Sequence, residues 1–157
     1  MQIKHRKPLR LIDFEYAGES FVYFLTLCTS HKQPYFSDEQ IAKVIENEME
    51  FRRVKEEIRL YCCCIMPDHL HILLSLTYNY HKSLQDWVSA FKRYTSKATY
   101  QLYGVKPLFQ KNFYDHIVRK EESLAKIAEY IVNNPVRKGM VEEWEEYQHS
   151  KIFNVLL

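Results

Sequence analysis

His69 and His71 are separated by one residue in the run Pro67-Asp68-His69-Leu70-His71-Ile72-Leu73-Leu74. Residues two apart in a strand project to the same face. Both imidazoles therefore share one side, while Leu70, Ile72, Leu74 and Leu76 form an apolar face opposite. Two neighbouring imidazoles outside a core suit a divalent metal; the plainer alternative is a pair of hydrogen-bonded surface histidines. Cys62 and Cys64 share a face of the preceding strand, and hairpin pairing would bring them near the histidines. That raises a zinc site as a rival, although C-x-C followed by H-x-H matches none of the usual zinc spacings.

A second constellation falls late in the chain. Leu124, Ile127, Ala128 and Ile131 recur at helical spacing and predict a buried stripe. Tyr130 lies about 120° from the centre of that stripe at about 100° per residue. Asn134 follows four residues later on the same side. A phenol and an amide on a flank facing away from the core could serve metal-dependent phosphoryl transfer, with Tyr130 as nucleophile and Asn134 as an oxygen ligand. A half-buried tyrosine followed by a helix-ending Asn-Asn-Pro explains the same residues without chemistry. With 12 tyrosines in the chain, spacing alone singles none out. Tyr100 faces away from its own helix's apolar stripe, beside Arg93 and Lys97, and suits tracking of a nucleic-acid strand rather than catalysis.

These residues need a scaffold. Residues 21–29 are β-branched and aromatic and predict a buried strand. Residues 38–55 predict a helix capped by Ser37 or Asp38. The runs 58–66 and 69–76, joined by Pro67-Asp68, predict an antiparallel hairpin. Leu84, Trp87, Val88, Phe91, Tyr94, Thr95, Ala98 and Leu102 predict one face of a helix over 83–103. A strand over 113–119 follows, then a helix over 121–134 that must end near Pro135, because proline disfavours helical geometry in the residue before it. The order suits an α+β, ferredoxin-like split βαβ fold. Its antiparallel sheet would have four or five strands, with helices mainly on one face and the Tyr130 helix near the other.

Composition narrows the function. The 157 residues are one domain's worth of chain, 46% hydrophobic and 27% charged, as in an ordinary soluble globule. Three scattered glycines exclude a phosphate-binding loop or a dinucleotide fingerprint, both of which need clustered glycines. No apolar run is long enough to span a bilayer, and the basic start at residues 1–7 lacks a signal peptide's apolar stretch. Four cysteines, three of them consecutive, predict reduced thiols and a cytoplasmic setting rather than a disulfide framework.

The net charge of +2 hides an asymmetry: residues 1–81 carry −1, residues 82–138 carry +6 and residues 139–157 carry −3. The basic middle segment is interleaved with aromatics, as a nucleic-acid surface requires. Its candidate contacts are Lys92, Arg93, Lys97, Tyr100 and Arg119. The acidic run Glu142-Glu143-Trp144-Glu145-Glu146 predicts a solvated surface.

Taken together, three segments carry a family resemblance. Met66-Pro67-Asp68-His69-Leu70-His71 resembles the His-hydrophobe-His motif of single-tyrosine HUH transposases. Phe113-Tyr114-Asp115-His116-Ile117-Val118-Arg119 resembles the strand before their catalytic helix. Tyr130-Ile-Val-Asn-Asn134-Pro135-Val-Arg-Lys-Gly139 resembles the tyrosine helix of the REP-associated branch. Tyr23-Phe24-Leu25-Thr26-Leu27-Cys28-Thr29 fits the family's first strand, so the resemblance spans residues 20–141.

It implies a nuclease and strand transferase acting on single-stranded or hairpin DNA. His69 and His71 would be ligands of Mg²⁺ or Mn²⁺, and Tyr130 the nucleophile that forms a 5′-phosphotyrosine. Asn134 stands where insertion-sequence members carry glutamine, Asp68 where many relatives carry asparagine, and Phe109 where many carry tryptophan. The resemblance leaves a homodimer open, and His116 is a candidate general base. A catalytically silent hairpin-binding protein of the same fold is the alternative.

Overall fold

A tight turn at Pro67-Asp68 organises the sheet. It joins β2 (Ile58–Met66) to β3 (His69–Leu76), so that Met66 pairs with His69 and Cys64 with His71. The computed structural model describes residues 21–119 and 122–153. The basic run at residues 1–7 and the expected start of the third helix at residue 121 lie outside them.

On its other side β3 pairs with β1 (Val22–Cys28), placing Thr26 opposite His71 and Cys28 opposite His69. β4 (Tyr114–Ile117) lies beyond β1, and β5 (Ser150–Ile152) adds to the outer edge of β2. The sheet runs β4-β1-β3-β2-β5, all antiparallel. It is the expected α+β, ferredoxin-like arrangement. The short fifth strand escaped the sequence because three residues without apolar alternation give too little pattern.

Two apolar layers cover the sheet. On one face, α1 (Glu39–Val54) and α2 (Leu84–Tyr103) pack on Leu25, Leu27, Leu70, Ile72 and Leu74. Asp38 caps α1, accepting from the Gln40 and Ile41 amides, and Ser83 with Asp86 forms a capping box on α2. On the other face, α3 (Leu124–Val132) buries Leu124, Ala128, Ile131 and Val132 against Val22, Tyr61, Cys62, Cys64, Met66 and Leu73. A β-bulge between Leu60 and Cys62 shifts the register, which lets Tyr61 and Cys62 both contribute to this second layer.

Two helical expectations are corrected. Tyr94 and Leu102 are exposed, although both lie along the predicted stripe of α2, and Thr99 is buried instead. The Arg52 guanidinium covers the Tyr94 ring at 5.3 Å, and Leu102 falls in a solvated last turn beside half-exposed Tyr103. The third helix also stops before Asn134. Asn133 leaves helical geometry (φ −84°, ψ 4°), and a separate turn, α4 (Asn134–Arg137), begins with Pro135 in its first positions. Proline is well tolerated there because its missing N–H has no helical partner to lose.

The acidic run forms a short 3-10 turn at Trp144–Glu146. Its Trp144 ring and nearby Tyr147 pack against the α3 layer, and the Tyr147 hydroxyl donates to the Ile65 carbonyl at 2.6 Å.

Candidate active site

Strand parity sets the histidines. With Leu70, Ile72 and Leu74 committed to the α1–α2 layer, His69 and His71 emerge on the face that α3 covers, their ring centroids 4.7 Å apart. The hairpin turn that carries them is pinned from outside. The Thr29 amide and hydroxyl both donate to the Asp68 carbonyl, at 2.9 and 3.0 Å, and the Phe36 amide donates to the Pro67 carbonyl at 3.0 Å.

Each imidazole is also held through its inner nitrogen. The Asp68 carboxylate accepts from His69 Nδ1 at 2.7 Å, which turns Nε2 outward as a lone-pair donor. Thr26 Oγ1 lies 2.9 Å from His71 Nδ1; with that nitrogen as donor, His71 Nε2 likewise keeps its lone pair. A side-chain oxygen on the distal nitrogen is the usual support of a metal-binding imidazole. Burial, reinforced by the charges of His69 and Arg137, pushes the His71 pKa down to about 3. His71 is therefore neutral at physiological pH, the form that ligates a cation.

The α3–α4 junction brings the late residues to the same place. Asn134 is buried, and its side-chain amide donates to His69 Nε2 at 2.9 Å. The Asn134 oxygen thus belongs to a group already touching the pair. Tyr130 is 54% exposed, so its ring is open to solvent. Phe24 is in ring contact with both sides of the site: its centroid lies 5.3 Å from His71 and 6.4 Å from Tyr130. The Arg137 guanidinium stacks on the Tyr130 ring at 3.9 Å and donates to the Tyr130 carbonyl at 2.6 Å.

Two adjacent imidazoles with a side-chain amide against them form a donor set that fits a borderline divalent cation. The cysteine alternative does not survive. Cys62, Cys63 and Cys64 are buried, and burial raises the thiols, Cys63 to about 12 and Cys64 to about 11. Ser150 donates its hydroxyl to Cys64 Sγ at 3.2 Å. Among the described residues no group of three His, Cys, Asp or Glu side chains is placed to hold a metal.

The basic candidates divide. Lys92, Arg93, Lys97 and Tyr100 line a cleft of about 490 Å³ together with Lys106 and Lys111, on the α1–α2 side of the sheet away from the histidines. Lys106 Nζ lies 5.5 Å over the Tyr100 ring. Lys92 is spent on structure: its ammonium donates to the Gln110 and Asn112 carbonyls at 2.9 and 3.1 Å, stapling the loop that leads to β4. Burial lowers its pKa. Arg119 is exposed beyond the end of β4, where its backbone amide donates to Glu122.

His116 sits on the histidine-bearing side of β4, paired with Phe24. Its Nε2 meets both Glu122 oxygens, at 2.8 and 3.0 Å. No helix among the described residues is long and apolar enough to cross a membrane.

The sequence assigns no role to Thr26 or Arg137, and Asp68 enters it only as a departure from the asparagine of many relatives. Thr26 and Asp68 were legible in principle, one from the pairing of the first strand, the other from its place beside His69. Arg137 lies seven residues after Tyr130, two helical turns on, but Pro135 conceals that continuity.

Comparison with known proteins agrees with this architecture. A Haemophilus influenzae protein without a described function is 26% identical, covering 93% of each chain. Another H. influenzae protein, provisionally named a REP-associated tyrosine transposase, is 31% identical over 55% of this chain and 54% of its own length. The chain thus spans about half of that relative. A solved structure of a REP-associated tyrosine transposase bound to a REP hairpin superposes with a TM-score of 0.65 at 16% identity, covering 96% of this chain and 82% of that one. The family description "Transposase IS200 like" matches residues 19–134, which include the first strand, both histidines, Tyr130 and Asn134. The chain belongs to the IS200-like transposase family.

Proposed function

We propose that this chain cuts and rejoins single-stranded DNA next to a hairpin, with Tyr130 as nucleophile and a divalent cation held by His69, His71 and the Asn134 side-chain oxygen. The observation that carries this reading is the convergence at His69 Nε2, where Asp68 fixes the ring from behind and Asn134, from the segment after the tyrosine helix, meets it in front. Residues distant in sequence share that atom. The relative solved with a REP hairpin supports a hairpin substrate.

His69 and His71 project from a central strand with their inner nitrogens already held, and the Asn134 amide, whose N–H meets His69 Nε2, would turn over to offer its oxygen to the cation. Mg²⁺ or Mn²⁺ bound there would polarise the scissile phosphate as a Lewis acid. The Tyr130 oxygen attacks phosphorus, the bond to the 3′ oxygen breaks, and the phenolic proton passes to solvent while the leaving oxygen takes one up. The products are a 5′-phosphotyrosine and a 3′-hydroxyl. Because the phosphodiester is exchanged rather than hydrolysed, a 3′-hydroxyl can reverse the step without ATP. Exposure of the Tyr130 ring leaves room for the strand to approach. Arg93, Lys97 and Tyr100 supply cations and a ring for a DNA segment on the helical side.

The test is incubation with hairpin DNA carrying a single-stranded flank and Mn²⁺, followed by denaturing electrophoresis. A protein–DNA adduct that vanishes in Tyr130→Phe and on chelation is expected. Tight hairpin binding with no adduct would refute the catalytic reading and leave a binding protein of the same fold.

A further inference from the structure

We infer that Arg137 is a positioning residue for Tyr130, clamping both its ring and its backbone so that the phenol is held in one orientation. The inference rests on Tyr130 being the nucleophile. In a continuous helix the Tyr130 carbonyl would accept from the amide four residues on, but the chain departs from helical geometry at Asn133 and restarts at Asn134. Arg137, in the last turn of α4, reaches back to that carbonyl at 2.6 Å while its guanidinium plane covers the ring at 3.9 Å.

A tyrosine that is 54% exposed has few neighbours to select one rotamer. Phe24 touches one side of the ring environment and Arg137 covers a face. The two jobs of the guanidinium reinforce each other. The carbonyl contact fixes the guanidinium relative to α3, and the stack then fixes the ring relative to the guanidinium. Lysine cannot substitute, since an ammonium has neither the flat face nor the fork of donors. The clamp also joins the nucleophile to α4, the turn whose first residue, Asn134, contacts His69. A single short segment therefore registers phenol and imidazoles against each other.

Arg137→Lys and Arg137→Ala test this, with thermal unfolding as a check that both variants fold; Arg137 is exposed, so its loss removes no core packing. In DNA-free protein labelled with ¹³C-tyrosine, the resonance assigned through Tyr130→Phe should shift and average in both variants. An unchanged resonance overturns the clamp. At saturating hairpin DNA, adduct formation should slow by about 10²-fold, the typical cost of ångström-scale misplacement. Arg137→Lys should be as impaired as Arg137→Ala, with hairpin affinity little altered. A full rate in Arg137→Lys, or lost affinity with an intact rate at saturation, also overturns it, because either makes Arg137 a simple charge contact. If wild-type protein forms no adduct, the nuclease reading fails, while the ring resonance still decides the clamp.

Discussion

His71 gives the candidate site a measurable pH signature. Its folded pKa is pushed down from 6.5 to about 3, first by burial and then by the charges of His69 and Arg137. In the unfolded chain the imidazole takes up its proton near the ordinary value. Between these two values the unfolded state binds more protons than the folded one, so stability rises with pH and is lost on acidification. From pH 7 to pH 5 that loss amounts to about 2 kcal/mol for this one group.

The chain holds six other histidines. The wild-type curve alone therefore does not isolate His71. His71→Gln does: its amide can still meet Thr26 but cannot be protonated. Urea unfolding of both proteins at pH 7 and pH 5, with a chelator present, should show wild type losing about 2 kcal/mol more than the variant. Equal losses would refute the claim that the fold holds this imidazole neutral.

Other perturbations separate support from surface. Asp68→Ala should weaken Mn²⁺ binding by about 10–100-fold in titration calorimetry, as loss of a ligand's outer partner typically does. Asp68→Asn should cost far less, because its amide oxygen can accept the same bond from His69. Arg93→Ala and Lys97→Ala should each reduce the salt dependence of hairpin affinity by about one in the logarithmic slope; an unchanged slope would place both residues outside the DNA contact. Lys92→Met should leave that slope unchanged and lower unfolding stability by about 1–3 kcal/mol, since it removes charge-assisted bonds to two carbonyls.

The histidine pair was legible because strand alternation has a period of two. Once Leu70, Ile72 and Leu74 are committed to a core, His69 and His71 have one face left. The two-residue turn at Pro67-Asp68 was equally readable, and its pairing of Met66 with His69 follows from turn length. Strand order required more than local pattern. Nothing near Ser150–Ile152 announces a strand, whose partners Cys62–Cys64 of β2 lie far earlier in the chain.

The buried stripe of the Tyr130 helix is legible in the sequence and its end is not, because proline both stops one helix and starts another. Arg137 was hidden by that break. Lys92 illustrates the opposite failure: a lysine in a basic segment looks solvated, and only the path of residues 110–112 shows which carbonyls claim it.

The central claim is that the phenol of the late helix acts at the histidine pair. Its most direct test is peptide mapping by mass spectrometry after reaction with hairpin DNA and Mn²⁺, followed by nuclease trimming of the attached strand. The account predicts a 5′-phosphonucleotide on the peptide containing Tyr130, absent when His69 and His71 are both replaced by alanine. Attachment at another tyrosine such as Tyr100 or Tyr114, or an adduct on Tyr130 indifferent to both histidines, would contradict it.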